Sequence, residues 1–169
     1  DEPKLRWLSG EYIRAVSAEE FKSVALPFLQ KSKAYGRYDE DKLLKMLQSR
    51  VDVLEDIPSK VDFLEEYGEI DPALYFNKKM KSDAEIAKAV LPKAADVFKN
   101  LDKFENAELY AALVALAQEQ GMKNGQVLWC VRIALTGKEN TPGGASEMAE
   151  LLGRERSLER LAHAMSLLA

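Results

Sequence analysis

The stretch Asn106-Ala107-Glu108-Leu109-Tyr110-Ala111-Ala112-Leu113-Val114-Ala115-Leu116-Ala117-Gln118-Glu119-Gln120, followed by Gly121, reads as a helix and its stop. Ala and Leu are strong helix formers, and Gly just past the last helical residue is the usual terminator. The same grammar recurs outward from it. Asn124 to Thr136 predicts a second helix ended by Gly137, and a final helical pair is expected around Gly153. Upstream, Ser82 and Glu85 have capping-box spacing and open a helix through Ala87, Val90, Leu91 and Val97, with Pro92 inside it.

Toward the start of the chain, Leu8 to Val16 suggests a short helix. Ser17 and Glu20 form a further capping box, opening a helix over 18–30 with Pro27 bending its last turn. After a loop with Gly36, Asp39 is the expected N-cap of the helix carrying Leu43, Leu44, Met46 and Leu47. The stripe from Val51 to Leu64 is interrupted by Pro58, which predicts two short helices meeting at a kink. Period-two alternation is nearly absent, so the expected class is all-α with no significant sheet. Gly68 and Pro72 bracket a polar turn, which divides the chain into helical subdomains 1–68 and 69–169.

Composition narrows the function. The chain has 169 residues, 47% apolar and 31% charged, with one Cys and one His. That excludes a disulfide scaffold and a zinc site built only from its own thiolates and imidazoles. A reducing, cytoplasmic setting is the default expectation. The longest apolar run, Leu109 to Ala117, is nine residues, against the roughly 20 a membrane helix needs. Residue 1 is Asp, with no basic, apolar leader, so the sequence is expected to begin inside a longer product or after processing. The net charge of −4 argues against bulk electrostatic capture of nucleic acid. Of the segments 1–68, 69–120 and 121–169, only the last is net positive, and only by one, so any nucleic-acid contact must be local.

Enzymatic signatures are scarce. Gly137-Lys138 resembles the end of a phosphate loop, but Arg132 and Glu139 stand where that motif requires Gly and Ser or Thr. His163 has no nucleophile beside it, Cys130 lies between Trp129 and Val131 as a buried thiol would, and pairs such as Glu65-Glu66 read as solvated faces. Lys78-Lys79-Met80-Lys81-Ser82 is similar to the Lys-Met-Ser-Lys-Ser loop of class I aminoacyl-tRNA synthetases, without its internal Ser and without a His-Ile-Gly-His-like partner. Its charges read either as a phosphate contact or as a solvated loop. In the stretch from Gly125 to Gly144, Arg132 closes an apolar helix and Thr141-Pro142-Gly143-Gly144 follows. Backbone freed of Cβ atoms beside a guanidinium suits the edges of unstacked bases. The other reading is structural: Thr-Pro-Gly starts a helix and Arg132 caps carbonyls.

A set of landmarks runs through the chain: Lys4-Leu5-Arg6-Trp7 with Tyr12-Ile13, Arg50 with Pro58, Gly125-Gln126-Val127-Leu128-Trp129, Arg132-Ile133-Ala134-Leu135-Thr136-Gly137, Thr141-Pro142-Gly143 and Leu151-Leu152-Gly153-Arg154-Glu155-Arg156. In this order they resemble the C-terminal anticodon-binding region of bacterial-type glutamyl-tRNA synthetases. The resemblance implies an all-helical cage of two subdomains, the second carrying the anticodon-loop contacts. It implies tRNA(Glu) and the enzyme's own catalytic domain as partners, and neither a membrane nor DNA. ATP and Mg would serve an absent catalytic part, so this chain would hold no cofactor and no metal and would not aminoacylate alone. Arg132 would contact anticodon bases, with Thr141, Pro142, Gly143 and Gly144 forming the loop around the second and third. Trp129 would pack beneath that surface or stack a base. Arg50 matches an Arg that reads the third base and rejects tRNA(Gln) in some members, where others carry Gln. The chain departs from the pattern at Cys130, where Pro is usual, and at Gly144, where a bulkier residue is common. A different class, a stand-alone helical protein-interaction module, is the alternative that the acidic balance suggests.

Overall fold

The computed structural model describes residues 10–169, so the landmark Lys4 to Trp7 and the start of the helix expected from Leu8 lie outside the described residues. Among these residues the architecture is all-α. The only β-type pairing is an isolated antiparallel bridge between Asn77 and Ser82. The chain divides into two compact units, Asp1–Tyr67 and Gly68–Ala169.

In the first unit, residues 10–15 are helical and α1 (Ala18–Leu29) and α2 (Glu40–Arg50) follow. Ser17 Oγ accepts from the Glu20 N–H at 3.1 Å, and Asp39 Oδ1 accepts from the Lys42 N–H at 2.9 Å, so both expected caps form. Phe21, Ala25 and Leu29 recur every four residues on α1, and with Leu43, Leu44, Met46 and Leu47 of α2 they are buried in this unit's core. Two short helices do meet beside Pro58, a 3₁₀ turn (Leu54–Asp56) and α3 (Ile57–Val61), but Pro58 stands in the first turn of α3 and starts that helix instead of interrupting one; a further 3₁₀ turn follows at Asp62–Glu65. The first turn has no intrahelical partner for an N–H, so Pro costs nothing there. The loop after α1 is fastened by carboxylates: Ser32 Oγ and the Lys33 N–H donate to Asp62 Oδ1 at 2.7 and 3.0 Å, and Lys33 Nζ lies 2.7 Å from Glu66.

The second unit is built from longer helices. A 3₁₀ turn (Pro72–Tyr75) and a tight turn over 78–81 lead into α4 (Ala84–Asn100), α5 (Asn106–Glu119), α6 (Asn124–Thr136) and α7 (Ala145–Leu168). The cap of α4 is Asp83, whose Oδ1 accepts from the Ile86 N–H at 2.9 Å, one residue later than the expected Ser82. Ser82 is occupied elsewhere: it closes the bridge to Asn77, and its buried hydroxyl lies 3.1 Å from Cys130 Sγ. Pro92 is tolerated inside α4 because it and Lys88, whose carbonyl loses a partner, lie on the exposed side.

α6 packs against α4, α5 and α7, which explains why Val127, Cys130, Val131, Ile133, Ala134 and Leu135 are all fully buried. Gly137 ends it with φ 69°, and a Cβ there would meet the Glu69 carbonyl at 3.4 Å, so both the backbone and the space favour glycine. α5 ends in a Schellman motif, with Gly121 N–H donating to Gln118 O and Met122 N–H to Ala117 O. α7 is broken at Gly153 (φ 82°, ψ 165°), giving the helical pair that the sequence suggests. No helix of the described residues is long and apolar enough to cross a membrane.

Candidate nucleic-acid interface

The site begins on α6. Trp129 and Arg132 stand three residues apart, so their side chains are neighbours on the helix surface. Trp129 is half-buried and its Nε1–H donates to the Leu74 carbonyl at 2.9 Å, which fixes the ring. The Arg132 guanidinium lies over that ring, 4.8 Å from its centroid. Arg132 Nη1 donates to Thr141 Oγ1 at 2.8 Å and to the Lys138 carbonyl at 3.3 Å, and Nη2 donates to the Glu139 carbonyl at 2.7 Å. A guanidinium has five N–H donors, so Nε–H and one Nη2–H remain beyond these three bonds. Burial pushes the Arg132 pKa below its ordinary value, Glu139 opposes that shift, and the group stays cationic at neutral pH.

The loop beyond α6 is shaped by its own polar groups. Thr136 Oγ1 donates to the Arg132 carbonyl at 2.7 Å and accepts from the Lys138 N–H at 3.2 Å, so the chain turns sharply at Gly137. Thr141 Oγ1 accepts from Arg132 and donates to the Gly143 carbonyl at 2.7 Å. Pro142 and Gly143 are buried, Thr141 and Gly144 are half-buried, and the Gly144 N–H donates to Glu147 at 3.1 Å to open α7. The exposed rim of the loop is Lys138, Glu139 and Asn140.

Trp129, Arg132 and Thr141 are therefore brought into one bonded cluster, with Pro142, Gly143 and Gly144 as the inner frame of the loop. Arg50 belongs to the other unit, where it is the exposed last residue of α2 and its Nη1 donates to Ser49 Oγ at 3.1 Å. Cys130 is fully buried and burial raises its thiol pKa to about 11, so it is not a nucleophile at neutral pH. His163 is half-exposed, its Nε2 against the Gly68 carbonyl. Lys138 and Glu139 stand out in the sequence only as a failed phosphate-loop match, and nothing in its periodicity marks their carbonyls as partners of Arg132. Among the described residues no group of three or more His, Cys, Asp or Glu is arranged to hold a metal.

Arg132 thus caps two carbonyls and Thr141 to Gly144 lead into a helix, as the structural reading expects, while the ring-backed guanidinium keeps two N–H donors of the kind that read unstacked bases. The chain belongs to the anticodon-binding domain family, described as "Anticodon binding domain", which matches residues 11–165. It is 41% identical over 161 residues to a glutamate–tRNA ligase of Clostridium tetani, a match that covers 95% of this chain and 33% of that protein. A glutamate–tRNA ligase of Clostridium acetobutylicum is 36% identical over the same share of each. A solved glutamate–tRNA ligase of Elizabethkingia meningosepticum, in complex with its amino acid, has the same fold with a TM-score of 0.72 at 19% identity, covering 97% of this chain and 32% of that one. The chain thus spans about a third of the length of the curated relatives it matches.

Proposed function

We propose that this chain is the anticodon-binding part of a glutamate–tRNA ligase and that it holds the anticodon loop of tRNA(Glu). The observation that carries this reading is the Trp129–Arg132–Thr141 cluster within a chain matched from residue 11 to 165 by the anticodon-binding family. ATP, Mg and glutamate are handled by the remainder of the enzyme, in the cytoplasm, and this chain alone does not aminoacylate.

Arg132 offers its remaining Nε–H and Nη2–H donors to acceptors on an unstacked base, while Trp129 backs the guanidinium. Pro142, Gly143 and Gly144 set the loop's course, and Thr141 couples that course to Arg132. Arg50 reads the third base, where a cytosine presents acceptors and a guanine presents a donor. Each well-placed Arg–base contact contributes about 1–3 kcal/mol of discrimination by analogy with DNA readout, or about tenfold and more.

Titration of the chain with the anticodon stem-loop of tRNA(Glu) tests this. Arg132→Ala should weaken binding about tenfold or more. Arg50→Gln should leave affinity for the cognate loop near its original value and narrow the preference over the tRNA(Gln) loop. Unchanged affinity and unchanged preference in both variants would overturn the site assignment. Absence of binding by the unaltered chain, and by an enzyme that contains it, would favour the protein-interaction module that the net charge of −4 suggests.

A further inference from the structure

At the other end of α6 lies a cationic group that the cluster above does not use. Lys78, Lys79 and Lys81 occupy a tight turn closed by the Asn77–Ser82 bridge, and all three side chains are exposed. The turn is pressed onto the first residues of α6: a Cβ at Gly125 would come within 2.6 Å of Met80 Sδ. Gln126 ties the two strands of chain together, since its Nε2–H donates to the Lys81 carbonyl at 2.7 Å and its Oε1 accepts from the Lys123 N–H at 2.9 Å. Lys81 and Lys123 are thereby held side by side, and hydrogen bonding and charge repulsion from Lys81 hold the Lys123 pKa below its ordinary value. Among the described residues neither ammonium has a carboxylate within ion-pair distance.

Two further features single the turn out. Lys81 has φ 58° and is the only non-glycine residue with positive φ among the described residues. A lysine at a backbone position suited to glycine costs stability, and strain of this kind gathers at functional sites. Phe76, immediately before the bridge, is 67% exposed, the most exposed large apolar side chain of the described residues. Two like charges held together with no carboxylate in ion-pair distance among the described residues, at the positive end of a helix and at a turn entered just after an exposed aromatic residue, are complementary to a phosphate with a base attached.

We propose that Lys81 and Lys123, with the exposed Phe76 at the entry to the Lys81 turn, form a second RNA contact that takes a backbone phosphate of the same anticodon arm. The proposal rests on the reading that Arg132 and its loop meet that arm. Lys123 and Arg132 are nine residues apart, about 13 Å along the helix axis at 1.5 Å per residue. That distance corresponds to roughly four stacked nucleotides at about 3.4 Å each. The Arg132 end supplies base selectivity, and the Lys81–Lys123 end supplies affinity that falls with salt.

The test is a salt-dependent titration of the chain with the tRNA(Glu) anticodon stem-loop and with a loop altered at one anticodon base. Lys81→Gln with Lys123→Gln should weaken both complexes about tenfold, lower the slope of log K against log salt by about one, and leave their affinity ratio unchanged. Lys33→Gln with Arg37→Gln removes the same charge elsewhere and should change affinity less than twofold; an equal loss there would reduce the effect to net charge and overturn the proposal. Lys81→Gly should raise the melting temperature while weakening RNA binding several-fold, which separates contact from folding. A higher melting temperature with full affinity would overturn it. If the unaltered chain prefers the cognate loop and the paired Lys81 and Lys123 variant binds as before, this contact fails and the proposed function stands. If the chain shows no anticodon preference but the paired variant still loses affinity and slope, the contact stands and the proposed function fails. If the lysine variants keep RNA affinity and instead lose retention on immobilised poly-glutamate, the face takes an acidic polypeptide and the RNA assignment falls.

Discussion

Residues 31–37 carry Lys31, Lys33 and Arg37, and residues 78–81 carry Lys78, Lys79 and Lys81, so the two turns look alike as composition. They are fastened by opposite means. In the first, Asp62 accepts from Ser32 and Lys33, Glu66 pairs with Lys33 at 2.7 Å, Glu65 lies 3.9 Å from Arg37, and Lys31 sits over the Phe28 ring. In the second, the anchors are neutral: the Asn77–Ser82 bridge, Asn77 Oδ1 accepting from the Met80 N–H, Ser82 against Cys130, and Gln126 on the Lys81 carbonyl. A turn held by carboxylates engages its cations in its own fold, whereas one held by neutral groups leaves them open to solvent. Charge counted in a sequence is therefore not charge available at a surface.

The sharpest way to break this contrast is to make a neutral anchor ionise. The Cys130 thiol is raised from the usual 9.0 to about 11, chiefly by desolvation. The unfolded chain loses this proton first, so the associated stability is complete below pH 9 and declines as pH rises toward 11, by up to about 3 kcal/mol. Denaturant midpoints of the unaltered chain and Cys130→Ala, compared at about pH 8 and near pH 11, should show this component only in the former. Parallel pH dependence in the two would remove Cys130 as an anchor.

Next in size, Asp62→Ala strands two donors of the first turn and should lower stability by about 1–3 kcal/mol, read as a lower urea midpoint. No change there would mean that the carboxylate is not the anchor. Gln126→Ala removes the bridge between Lys81 and Lys123 at a cost of about 1 kcal/mol. It should also cost RNA affinity a few-fold without touching either ammonium; unaltered affinity would show that the lysines need no positioning. The smallest effect belongs to Lys33→Gln. Its ion pair with Glu66 is exposed and screened, so the melting temperature should stay essentially in place at any salt concentration.

Much of this fold could be read from local signals. Gly121, Gly137 and Gly153 mark the ends and the break of α5, α6 and α7 because each sits at a positive φ that glycine adopts most readily. The errors arose where the deciding partner is distant in sequence. Ser82 and Asp83 are both competent caps, and Cys130, which is 48 residues away from Ser82, decides between them. Pro58 looked like a breaker because its helix is only five residues long and has no periodic stripe of its own. The members of the proposed cluster could be named from the sequence, but the bonds among them could not. The spacing put Arg132 near Thr141, while the carbonyls of Lys138 and Glu139 became partners only because Gly137 folds the loop back. The juxtaposition of Lys81 with Lys123 depends on Gln126 and has no sequence signature.

The bonds that hold Arg132 over Trp129 also bear on the thermodynamics of the recognition proposed for it. A long side chain that tumbles in solvent surrenders rotamer freedom when it is captured, about 0.5–1.5 kcal/mol for each one immobilised. Arg132 is already arrested by Thr141 and two carbonyls, so that loss is incurred during folding and is largely absent at encounter. Its contribution to recognition should then be mainly enthalpic and should weaken sharply wherever the loop at 138–141 is allowed to melt.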